Sequence, residues 1–144
     1  MKIYLDNCCY NRPFDDQSHI LVKIEAEAKL QIQQLVFDGQ LDLVWSFVLA
    51  YENLKNPYAD RKSRIALWEN IAAACVVYSP PIEQQAFAYM KLGIKMKDAG
   101  HIACAVWAQA DYFITTDKKL LNKPVKDITL INPVDFLGRY YDEK

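Results

Sequence analysis

No stretch of the 144-residue sequence approaches the roughly 20 consecutive apolar residues of a membrane-spanning helix, so no membrane function is expected. The opening MKIYLDNCC has one lysine and an apolar run broken by Asp6, too short and too polar for a secretory signal. A cytoplasmic location is the expectation. Cysteines are few: Cys8, Cys9, Cys75 and Cys104 form no CxxC pair and no Cys/His group of zinc spacing, which argues against structural zinc. Adjacent Cys8 and Cys9 are awkward disulfide partners, so reduced, mostly buried thiols are expected. Internal repeats, low-complexity runs and linkers are missing too, and residues 1–144 read as a single domain.

Charge of either sign is also not in excess. The net value of −1 at first argues against a nucleic-acid partner. Four acids are argued below to form one site; without them, 14 of the 18 acidic residues remain against 17 basic ones. The basic residues bunch as Lys55, Arg61, Lys62 and Arg64, as Lys95 and Lys97, and as Lys118, Lys119 and Lys123. Each bunch alone reads as a solvated face; its meaning depends on where it lies relative to the acids.

With 52% hydrophobic and 24% charged residues, the chain has enough apolar surface to offset the entropy of folding. Residues 2–5, 41–46, 75–79, 111–115 and 127–131 read as strands, each a nearly continuous apolar run. Between them lie helical patterns. Ser18 to Phe37 repeats apolar residues every three to four positions, with Ser18 as N-cap and Gly39 as stop. Further helices are expected from Phe47 to a break at Pro57, over 60–73, over 82–92 up to Gly93, and from about Asp98 onward. Alternating elements with apolar strands predict an α/β three-layer sandwich, a central parallel sheet of about five strands flanked by helices.

In such sheets ligands bind beyond the carboxyl ends of the strands, near the point where strand order reverses. Asp6 directly follows the first strand and Asp117 lies two residues past the fourth. Glu52 sits about a turn and a half into the helix after the second strand, and Asp98 opens the helix feeding the fourth. Singly, these are a turn residue, a second turn residue, a solvent-facing helix residue and a helix cap. Jointly, they converge on one rim. Two carboxylates ~5 Å apart repel by roughly 3 kcal/mol at an effective dielectric near 20. Four make six pairs, a large fraction of a domain's net stability unless protons or a cation intervene. An oxygen-only set selects a hard ion such as magnesium or manganese, which also binds phosphate and activates water. Phosphodiester hydrolysis is the chemistry most naturally served.

The motifs YLDN (4–7), SFVLAYE (46–52), KDAGHIACA (97–105), ADYFITTDKKLL (110–121) and INPVDFL (131–137) together resemble the PIN domain, in order and over nearly the whole chain. The resemblance implies a magnesium- or manganese-dependent nuclease, and many bacterial members are VapC-type toxins paired with an antitoxin; homodimers are common. Carried over by position, it makes Asp6, Glu52, Asp98 and Asp117 the catalytic and metal-binding set. Asn7, Ser46 and Thr116 would orient these acids. Arg12, in the loop after the first strand, and Lys55 and Lys118 would contact the phosphate backbone of RNA. The sequence departs from the family at Cys8 and Cys9, and at Gly100, where a larger apolar residue is usual. His101 reads as a hydrogen-bonded structural histidine rather than a base. Tyr51, Trp68 and Trp107 read as core, and Tyr58 as the one ring to consider for base stacking.

The expected function is thus a metal-dependent endoribonuclease, with a non-catalytic PIN-fold module for RNA or protein binding as the alternative. Phosphotransfer fits worse. A receiver domain needs an acidic acceptor where Ser79 and Pro80 stand, and a haloacid-type phosphatase needs a second acid where Cys8 stands.

Overall fold

The computed structural model describes residues 1–143. Five strands, β1 (Lys2–Leu5), β2 (Asp42–Ser46), β3 (Ala74–Val76), β4 (Tyr112–Ile114) and β5 (Thr129–Ile131), form one wholly parallel sheet in the order β3-β2-β1-β4-β5. The apolar runs explain this. Ile3, Tyr4, Leu5, Leu43, Val44, Trp45, Phe113 and Ile114 are all buried, so both faces of the central strands must be covered. Helices do this, giving the α/β sandwich the sequence predicts.

Those helices are α1 (Asn7–Asn11), α2 (Ile20–Phe37), α3 (Phe47–Leu54), α4 (Ala59–Ala66), α5 (Trp68–Ile71), α6 (Pro80–Met90), α7 (Met96–Trp107), α8 (Lys118–Leu121) and α9 (Pro133–Asp142). A 3-10 turn at Arg12–Phe14 joins α1 toward α2. One group packs α2 against α9 and the 3-10 turn; the other packs α6 against α7. Among the described residues no helix is long and apolar enough to cross a membrane.

Several local expectations change. The segment after β1 is helical rather than a loop. The expected 60–73 helix divides at Leu67 into α4 and α5. β3 ends at Val76, and Pro80-Pro81 open α6, where a missing N–H costs nothing. His19, not Ser18, precedes α2, and the Ser18 N–H instead donates to Asp16 Oδ1 at 3.0 Å. Gly39 (φ +78°) and Gly93 (φ +85°) turn the chain after α2 and α6 in the left-handed conformation glycine tolerates. Tyr51, Tyr58 and Trp107 are 50%, 59% and 56% exposed, so they are surface rings, and Tyr58 carries the Arg61 guanidinium 4.4 Å above it. All four thiols are free; Cys9 and Cys104 are buried and Cys75 is exposed.

What positions the site is the place of β1. The chain leaves β1 toward β2 and β3 on one side and returns to β4 on the other, so the carboxyl ends of β1 and β4 flank the switch point. Leu5 lies opposite Ile114, and the Asp6 N–H extends the ladder by donating to the Ile114 carbonyl at 2.9 Å.

Candidate functional site

Asp6 emerges from β1 as the N-cap of α1, the position where a short acidic side chain satisfies an orphan helix N–H. Its Oδ1 accepts the Asn7 N–H at 2.8 Å, and its Oδ2 accepts the Thr115 hydroxyl at 2.8 Å. The Cys8 thiol lies 3.5 Å from Oδ2 and 3.4 Å from the Thr115 hydroxyl. Asp117 is likewise an N-cap, of α8, accepting the Lys119 and Leu120 N–H groups at 2.9 and 3.3 Å. Its own N–H donates to Thr115 Oγ1 at 3.1 Å. One hydroxyl thus ties the ends of both acidic segments together.

Glu52 enters from α3. Its Oε2 accepts the Asn7 side-chain amide at 3.0 Å, and its Oε1 is hydrogen-bonded to His101 Nε2. His101 is fully buried on α7, with Nδ1 2.6 Å from the Tyr4 hydroxyl, which lies 2.6 Å from Ser46 Oγ. Ser46 caps α3 through the Leu49 N–H at 3.2 Å. His101 Nε2 also stands 3.7 Å from Asp6 Oδ1. Gly100 brings α7 close to α3: a methyl group there would meet Val48 at 3.4 Å.

The electrostatics follow from these contacts. Burial pushes the Asp98 carboxyl up to about 6, and the charges of Asp6, Asp117 and Glu52 push the same way, against the pull of His101. Burial disfavours the His101 cation, but its hydrogen bond to Glu52 and the charges of Asp6, Glu52 and Asp98 outweigh that and raise it. Burial would raise Glu52 as well; the His101 hydrogen bond and charge, with Lys97 and Asn7, bring it below its ordinary value. The carboxylates around His101 thus favour its protonated form, and its Nδ1 joins a buried chain of hydrogen bonds through the Tyr4 hydroxyl to Ser46.

Asp98 and Asp117 line one cavity of about 170 Å³ together with Lys95, Lys119 and Lys123. Two of the three basic bunches thus border Asp98 and Asp117, and the Lys55–Arg64 bunch lies elsewhere. A larger open groove of about 610 Å³ runs between β5 and α9, and none of the four acids lines it. The remaining residues singled out in the sequence fall as follows. Ser46 reaches Glu52 only through Tyr4 and His101. Thr116 touches no carboxylate; its hydroxyl accepts from Arg12 at 2.8 Å. Arg12 is held within the fold, 3.4 Å from Asp15 and 3.4 Å from the buried Glu25. Lys55 lies 4.4 Å above the Tyr51 ring, and the Lys118 charge acts on Glu25. Thr115 and Tyr4, which the sequence reading passed over, make the contacts that fix Asp6 and His101. The only advance signal for Thr115 is that two threonines, not one, precede Asp117.

The acids supply oxygen donors and surplus negative charge, a chemistry that fits a hard divalent cation. As they stand, they do not close around one: among the described residues no three His, Cys, Asp or Glu side chains gather closely enough to hold an ion. Glu52 is tied to His101 and Asn7, and Asp117 to its helix.

Comparison with known proteins places this geometry on a familiar fold. No protein-family sequence pattern and no curated protein matches the chain. Solved structures do. FitAcB from Neisseria gonorrhoeae superposes with a TM-score of 0.60 at 18% identity, covering 92% of this chain and 98% of that one. VapBC2 from Rickettsia felis, bound to a DNA fragment from their promoter, superposes with a TM-score of 0.58 at 13% identity, with the same 92% and 98% coverage. At these identities the likeness is one of fold, and it extends over nearly the whole chain.

Proposed function

We propose that this chain is a magnesium- or manganese-dependent endoribonuclease, acting at the rim formed by Asp6, Glu52, Asp98 and Asp117. The observation that carries the reading is geometric: at the switch point of the sheet the Thr115 hydroxyl joins Asp6 to the Asp117 backbone, and the Asn7 amide holds Glu52. Asp98 is raised by burial and by the charges of these three acids. These four acids would hold the cation, as in the PIN domains the sequence resembles. Bound there, magnesium or manganese would activate water and neutralise charge on the scissile phosphate. Thr115 keeps Asp6 and the Asp117 backbone in register, while Asn7 links Asp6 to Glu52. Lys95, Lys119 and Lys123 border the cavity and would draw the phosphate backbone toward the acids. The charges of Asp6, Asp117 and Glu52 that help raise Asp98 are the repulsion a bound cation would relieve. Arg12 braces the segment after α1, and Lys55 and Lys118 would serve as outer phosphate contacts.

An antitoxin partner belongs to the same reading. The resemblance to VapC-type chains suggests it, and the shared fold with the Rickettsia VapBC2 and Neisseria FitAcB structures supports it. A homodimer and a cytoplasmic setting complete it.

The experiment is incubation of structured and unstructured RNAs with the native chain, in manganese or in EDTA, beside Asp6→Asn and Asp98→Asn. Cleavage in manganese alone is expected. Each substitution should reduce it on the order of a hundredfold or more, beyond the loss typical of an outer-shell partner. A second reading, a PIN-fold module that binds RNA or protein without cutting, is favoured by Glu52 being taken up in a hydrogen bond with His101. RNA binding by the native chain and by Asp6→Asn alike, with cleavage by neither, would select it.

A further inference from the structure

Away from the acidic rim, a cavity of about 170 Å³ lies between α1, α2, α4 and the 3-10 turn. Three of its lining residues are buried and polar: Tyr10 is 0% exposed, Lys29 4% and Gln33 6%. None of the three has a side-chain hydrogen bond among the described residues, and the Tyr10 hydroxyl and Gln33 amide nitrogen are sealed from solvent without a partner. Buried polar atoms normally find partners, because leaving one unmade forfeits its hydration for nothing. Two such atoms beside a buried lysine call for an occupant.

The chemistry of that occupant is set by what is missing. Among the described residues Lys29 is the only lysine buried to this degree, and its amine meets just the face of the Tyr10 ring, 5.5 Å from the centroid. Glu25, the acid one turn earlier on α2, is committed to Arg12. Burial holds the Lys29 amine down at about 7, the mark of an ammonium lacking its counter-ion. Lys29 as an ammonium has three hydrogens to donate, the Gln33 amide two, and Tyr10 one, while the lining offers as side-chain acceptors only the Gln33 carbonyl and the Tyr10 hydroxyl oxygen, neither of them charged. Arg64 stands on the same lining. The walls are Phe14, Leu30, Ile65 and Trp68.

We propose that this cavity is a carboxylate-binding site, in which a carboxylate on a short apolar stem accepts hydrogen bonds from Lys29, Gln33 and Tyr10 while the stem packs on the aromatic and aliphatic walls. The carboxylate comes from a small free acid or from a glutamate side chain of a protein partner. Phe14 and the 3-10 turn carry Arg12, whose guanidinium reaches Thr116 beside the acids, so an occupant would touch the segment that borders the rim.

Two-dimensional NMR or calorimetry on the native chain tests this directly. The free probes are butyrate and benzoate, with butyramide and benzamide as neutral matches. A capped tripeptide with glutamate between two leucines, and its glutamine twin, covers the partner source. Saturable binding of the acids, at least tenfold weaker for the amides, supports the proposal. Tighter binding of the glutamate peptide than of the free acids assigns the source to a partner, and the reverse order assigns it to a small molecule. Lys29→Met and Gln33→Leu should each weaken binding about tenfold or more. Both keep apolar volume, and their NMR spectra report whether the fold survives. No saturation by any acid up to about 10 mM, above the millimolar range of weak ligands, overturns the proposal. So does equal affinity for acids and amides, or unchanged binding in a folded Lys29→Met chain.

Discussion

The hydroxyl of Thr115 donates to Asp6 Oδ2 at 2.8 Å and accepts the backbone N–H of Asp117 at 3.1 Å, so one side chain sets the spacing of two acidic segments 111 positions apart in sequence. Thr115→Val keeps the shape and removes both bonds. Asp6 is buried and would lose its closest side-chain donor, costing about 1–3 kcal/mol of stability by denaturant unfolding. RNA cleavage in manganese should fall roughly 10–100-fold, the range seen when an outer partner of a metal ligand is removed. Thr116→Val, which loses only an Arg12 contact, should change cleavage much less. Equal effects of the two substitutions would contradict the role given to Thr115.

His101 is fully buried, hydrogen-bonded to Glu52 and Tyr4, and its pKa is raised by the surrounding carboxylates. His101→Ala leaves Glu52 part-buried with only the Asn7 amide as partner, and leaves the Tyr4 hydroxyl with Ser46 alone. Breaking one side of a buried pair costs about 3–5 kcal/mol, and unfolding curves near neutral pH should show a loss of that order, reduced where water reaches Glu52. The sign with pH follows from the raised pKa of His101. Its contribution is fully present below the unfolded value near 6.5 and declines as pH rises through the higher folded value. The gap between native and His101→Ala chains should therefore narrow on the alkaline side. A gap independent of pH would show that His101 is held neutral.

Asp98 has the opposite consequence. Its carboxyl is raised to about 6, so it favours the folded chain when protonated, below the unfolded value near 4, and that contribution is lost as pH rises through about 6. At pH 7 in EDTA, Asp98→Asn should therefore unfold at higher denaturant than the native chain. The gain should be about 1–2 kcal/mol, discounted because the group is only part-buried and solvent screens its neighbours. Below about pH 4 the two curves should converge. Added manganese should stabilise the native chain and not the variant, if the acids bind it.

Much of the architecture was legible because its causes are local or periodic. Apolar strands such as residues 2–5 and the three-to-four spacing of α2 follow from burial. Asp6 at the end of β1 and Asp117 past β4 follow from the parallel order. What escaped depended on register or on very short elements. NCCYN is too brief to display a helical period, so α1 looked like loop. Thr115 and Thr116 are equivalent in sequence; only the pairing of Leu5 with Ile114 puts Thr115 beside Asp6. The Tyr4–His101 contact joins β1 to α7, and nothing in either segment announces it. Lys29 lies on an amphipathic helix, where a lysine is ordinarily read as solvated. Tyr51 and Trp107 go the other way, expected in the core but exposed, since a large apolar ring is not always core.

Gly100 supplies the last prediction, because two effects compete there. A glycine within α7 costs up to ~1 kcal/mol relative to alanine in backbone entropy. Against this, a methyl at Gly100 would meet Val48 Cγ2 at 3.4 Å, which is contact rather than overlap. The helix term should win, and Gly100→Ala should raise stability by about 0.5–1 kcal/mol. A larger residue reverses the balance. Gly100→Leu must push α7 away from α3, and the first casualty would be the His101–Glu52 hydrogen bond, since those residues sit on the two helices. Overpacking of this kind costs about 1–3 kcal/mol. Alanine stabilising and leucine destabilising, with the His101 imidazole NMR signals shifted only in the leucine chain, is the expected pattern. If alanine already displaces those signals, the α3–α7 contact is tighter than a methyl group allows.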